Sequence, residues 1–91
     1  MKAWELLSKP GAWTKGTFAK NGQGIMRNSL DSDACCWCAM GAISRCYTES
    51  PSGTQPFIDK LSLRIGHIPS WNDHPDRTQE DVVSILEELD I

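Results

Sequence analysis

The 91-residue sequence has no apolar run near the roughly 18–20 residues that a bilayer span requires, so a membrane-spanning helix is excluded. It is also poor in positive charge. Nine Lys and Arg stand against twelve Asp and Glu, for a net charge of −3. Proteins that hold nucleic acid through its phosphates carry a basic excess, so nucleic acid falls behind protein as a candidate partner. The start of the chain lacks the apolar segment of a signal peptide, and a cytoplasmic location is expected. No internal repeat, linker or low-complexity tract is present. Gly22-Gln23-Gly24 is not a phosphate loop, because the lysine and hydroxyl that such a loop needs do not follow it. Disorder is disfavoured too, with 40% hydrophobic and only 23% charged residues. What remains is one small globular domain over residues 1–91.

A chain this short needs large side chains to build a core. Four tryptophans, Trp4, Trp13, Trp37 and Trp71, supply them, one to a segment. The spacing predicts a short helix over 2–8, ended by Pro10-Gly11. Residues 11–30 are glycine-punctuated, and Asn21-Gly22 is a tight-turn signal, so either a short β-hairpin or an ordered loop is expected there. Asp31-Ser32-Asp33 offers N-caps for a central helix over 33–47, with Ala34, Trp37, Cys38, Gly41, Ala42 and Cys46 at helical spacing. Gly41 inside that helix points to close approach by another element. Thr54 and Gly66 bracket a third helix with Phe57, Ile58, Leu61 and Ile65 on its buried stripe. Residues 67–77 read as a loop. Thr78 with Asp81 resembles a capping box opening a terminal helix that buries Val82, Val83, Leu86 and Leu89. The expected fold is therefore mainly α: a compact bundle of three to four helices with an irregular or short β-hairpin insert at 11–30.

The ordered set Trp13-Thr14-Lys15-Gly16, Cys38-Ala39-Met40-Gly41-Ala42 and Trp71-Asn72-Asp73 covers most of the chain. It resembles a family of small bacterial and phage proteins with the motifs W-T-x-G, C-x-x-G-A and W-N-D. The resemblance implies no activity. Cys35 and Cys36 are additions beside the motif position Cys38.

Four cysteines, Cys35, Cys36, Cys38 and Cys46, crowd into twelve residues. Secreted scaffolds spread their bridges to close long loops, so reduced thiols are expected. Cys35-x-x-Cys38 has zinc or redox spacing, but no second pair accompanies it, and Asp31 and Asp33 oppose a thiolate. Buried packing of the thiols is the preferred reading, with no metal and no cofactor. A Cys-His-Asp site drawn from Cys38 or Cys46, His67 or His74, and Asp73 has the residue types but lacks an evident oxyanion hole. The leading expectation is thus a non-enzymatic interaction protein, of a kind carried by phages and mobile elements. It would bind a protein partner through Trp13, Thr14 and Lys15 and through Trp71, Asn72 and Asp73. Self-association is left open. The alternative is a small cysteine- or metal-dependent enzyme or redox sensor using Cys35, Cys38, His67 and His74. A third option is a small-ligand module with a pocket between the central helix and the Trp71 segment.

Overall fold

A computed structural model describes all 91 residues. The chain runs α1 (Ala3–Leu7), β1 (Ala19–Asn21), β2 (Met26–Arg27), β3 (Ala34–Trp37), α2 (Ala39–Tyr47), α3 (Gln55–Ile65), α4 (Ile68–Asn72) and α5 (Gln79–Glu88). The three strands form an antiparallel sheet in the order β2-β1-β3. This is an α+β domain, and the expected mainly-α bundle with a hairpin insert is corrected by it.

The correction rests on residues 33–38. The expected central helix begins only at Ala39, and Ala34–Trp37 is a strand. A two-stranded hairpin is marginally stable alone. The Asn21-Gly22 hairpin is completed by β3, which pairs Ala19 with Trp37 and Lys20 with Cys36. The presumed helix caps serve the sheet instead. Asp33 Oδ2 accepts from Arg27 Nε at 3.1 Å, and Asp31 Oδ2 accepts from Asn28 N at 3.1 Å. Asn21 Oδ1 accepts from Gln23 N and Ile25 N, which fixes the turn.

The first, third and terminal helices keep their expected places. Thr78 Oγ1 accepts from Asp81 N at 3.2 Å and Asp81 Oδ2 accepts from Thr78 N at 3.1 Å, a full capping box on α5. Thr54 precedes α3, but its side chain makes no cap bond. Residues 67–77 are more ordered than a loop, because His67 caps the single-turn helix α4.

The core lies between α1, α2 and α5, with Leu7, Ile43, Leu61, Val82, Leu86 and Ile91 fully buried. Asp90 takes a left-handed conformation (φ 58°) and returns Ile91 inward. There the Ile91 carbonyl accepts from Ala3 N and from the Tyr47 hydroxyl, at 2.7 and 2.8 Å. No helix is long and apolar enough to cross a membrane.

Candidate functional site

The first turn of α2 is where the strand, the 12–18 segment and α4 meet. Cys38 is the N-cap residue of α2, and its Sγ accepts from Gly41 N at 3.2 Å. Cys38 N donates to the Phe18 carbonyl at 3.1 Å, which draws the 12–18 segment across the helix start. A Cβ on Gly41 would collide with that same carbonyl oxygen. Gly41 therefore tolerates the close approach its position suggested.

Asn72 locks the third side. It is 1% exposed, and its amide is fully used. Oδ1 accepts from Trp13 Nε1 at 2.8 Å and from Ala39 N at 3.0 Å. Nδ2 donates to the Thr14 carbonyl at 3.1 Å and to Asp73 Oδ1 at 2.9 Å. One side chain from α4 thus caps α2 and anchors the 13–14 segment. Asp73 Oδ1 also accepts from Gly16 N at 3.0 Å, and Lys15 Nζ donates to the His74 carbonyl at 2.7 Å.

These joints frame a half-open cavity of about 320 Å³, lined by Gly16, Thr17, Phe18, Cys38, Met40, Ile68, Pro69, Asn72 and Asp73. Its walls are mostly apolar, and Asp73 is the one acidic residue among them. A volume at the low end of ligand pockets suits one side chain or a small molecule. A depression of about 610 Å³ beside Pro10 and the start of α5 is larger, but five of its seven lining residues, Ser8, Thr78, Gln79, Glu80 and Ser84, are polar. It is shallower and more polar than the cavity at the start of α2.

The cavity thiol is a poor nucleophile. Burial pushes the Cys38 thiol up from its ordinary value. The Gly41 and Met40 N–H groups pull the other way, and the Asp73 charge adds to the rise. No imidazole lines the cavity. His67 Nδ1 accepts from Ser70 N, and His74 Nδ1 accepts from Asp76 N, so both rings are tied into local turns. The residues Cys35, Cys38, His67 and His74 are not assembled: no group of three or more His, Cys, Asp or Glu side chains could hold a metal ion. The thiols are also not uniformly interior. Cys38 is buried, Cys36 and Cys46 are half-buried, and Cys35 is exposed.

The residues singled out from sequence do come together. Across about sixty positions of chain, Trp13 and Thr14 bond to Asn72, Gly16 N bonds to Asp73, and Lys15 reaches the neighbouring His74 carbonyl. Trp71 is half-buried under the Arg77 guanidinium, 3.9 Å from the ring centroid. Only Asn72 and Asp73 of the six reach the cavity. Phe18, Ile68 and Pro69, which form its apolar wall with Met40, carry no motif, and Met40 stands at an open position of C-x-x-G-A. Their signal was the Gly41 close approach, which required some element to cross α2 at that turn.

A family model covers residues 1–89, and the chain belongs to that family, a family of unknown function designated DUF6197. No curated protein and no solved structure matches the chain.

Proposed function

We propose that this domain is a non-enzymatic binding module that seats an apolar side chain of a protein partner in the cavity at the start of α2. The observation that carries this reading is an open and largely apolar cavity with one acidic residue, Asp73, in its lining. Its walls are preorganised. Asn72 spends all four of its hydrogen-bonding positions on holding α2, α4 and the 13–14 segment together, so little ordering remains to oppose binding. Phe18 lies at the mouth with 56% of its surface exposed, in the manner of an aromatic contact residue. Asp73 favours a partner residue with an N–H or cationic end beside its apolar body. The cysteine-enzyme alternative is weakened by the desolvated Cys38 thiol, raised from its ordinary value, and by both imidazoles being tied into local turns and absent from the lining. Four free thiols suit a reducing compartment, consistent with action in the cytoplasm of a cell or of a phage-infected host.

The test is parallel recovery of partners from the native host with the wild type and with Thr17→Trp, which fills the cavity from a half-buried loop position. Leu63→Ala, on the far, 90% exposed part of α3, is the control. A partner held by the wild type and by Leu63→Ala, and lost by Thr17→Trp, supports the reading. Equal recovery by all three removes it.

A further inference from the structure

The third strand breaks the alternation of a regular strand. Ala19 pairs with Trp37, Lys20 with Cys36 and Asn21 with Ala34, which leaves Cys35 without an opposite number on β1. This is a β-bulge, two residues of one strand set against one of its partner. In an unbroken strand, Cys35 and Cys36 would project to opposite faces. Here Ala34 and Trp37, on either side of the pair, are both buried, while Cys35 is exposed and Cys36 half-buried. The bulge therefore places two adjacent thiols together on the outer side of the sheet.

We propose that Cys35 and Cys36 form a dithiol site for a soft, thiophilic centre that takes two sulfur ligands, the chemistry of trivalent arsenic. Geometry separates this from a disulfide. Adjacent Cα atoms lie about 3.8 Å apart, shorter than the roughly 4.4–6.8 Å that an unstrained disulfide spans. A bridging atom relaxes the link. Two bonds of about 2.3 Å, the length of a zinc–thiolate bond, at a tetrahedral angle hold their sulfurs about 3.8 Å apart. Soft thiolates select soft centres.

The surroundings limit the site to two protein ligands. Met26 shares the outer face through the row Met26, Lys20, Cys36, but it is two strands away, about 9.6 Å. A closed four-ligand zinc site is out of reach, because no three His, Cys, Asp or Glu side chains are gathered here, whereas an arsenical with one organic substituent needs only two sulfurs. In the reaction, an oxide R–As=O takes both thiols. Two As–S bonds form, the As=O bond is lost, and the two thiol protons leave with the oxygen as water. No electron is transferred. The site lies off the α2 cavity, which neither sulfur lines, so its outcome is independent of the binding reading above.

The test uses the reduced, full chain and phenylarsine oxide, read by intact mass. The expected result is one phenylarsenic adduct that survives excess glutathione and is removed by 2,3-dimercaptopropanol. Cys38→Ser and Cys46→Ser should keep that glutathione-resistant adduct, and Cys35→Ser and Cys36→Ser should lose it. Far-UV circular dichroism of the same samples verifies that each variant is folded. A wild-type adduct stripped by glutathione, no adduct, or equal resistance in folded Cys35→Ser or Cys36→Ser overturns the proposal.

Discussion

At the scale of single residues, Asn72 and Gly41 decide whether the cavity exists. Asn72→Ala strips the acceptor from Trp13 Nε1 and Ala39 N, two buried or half-buried donors. Each unmade bond of this kind costs about 1–3 kcal/mol, so a loss of about 3 kcal/mol is expected in urea unfolding. Gly41→Ala forces the Phe18 carbonyl away from α2 and should cost about 1–3 kcal/mol. Gly22→Ala is the matched contrast, because nothing lies within 4 Å of its Cβ position and its φ is not positive. It should be neutral or slightly stabilising, by up to about 1 kcal/mol through the unfolded chain. Denaturant midpoints of the two glycine variants separate close approach from a general effect of removing glycine. The Asn72 role was half legible. Trp71-Asn72-Asp73 stands out in the sequence as a candidate contact string. The bonds Asn72 makes run to residues 13, 14 and 39, and no pattern in one sequence marks a partner so far along the chain.

At the scale of elements, legibility followed length. The third and terminal helices were readable because ten or eleven residues carry several repeats of the 3.6 period, and the Thr78–Asp81 box marks a start. Thr78→Ala should therefore cost about 1 kcal/mol in chemical denaturation. The strand Ala34–Trp37 was read as helix because four apolar residues preceding a real helix have no period of their own. Its bulge deepened the confusion. With Ala34 and Trp37 both inward, the inward spacing is three, the spacing of a helix face. The helix α4 was missed since one turn cannot display periodicity, and Pro69 suggested a loop.

For the whole molecule, the sheet and helices share one core, and several weak acids meet it in their protonated forms. Burial is the first cause of the raised thiols of Cys38 and Cys46 and of the raised Tyr47 hydroxyl. A folded-state pKa above the unfolded value means that the folded chain binds these protons more tightly. The resulting stability is fully present below the ordinary thiol value of 9.0 and is lost as pH rises through the folded values. Unfolding midpoints should be steady from pH 7 to pH 8.5 and fall above pH 9. Cys46→Ala should shallow that fall, and an unchanged slope would show that its burial does not matter to titration.

The cavity itself is best interrogated by two-dimensional NMR titration with phenethylamine and with phenethyl alcohol, probes that share an apolar body and differ in charge. The expected result is saturable shifts confined to Gly16–Phe18, Met40 and Ile68–Asp73, stronger for the amine and absent in Thr17→Trp. Shifts scattered over the surface, or preserved when position 17 is filled, would contradict a binding site at the start of α2.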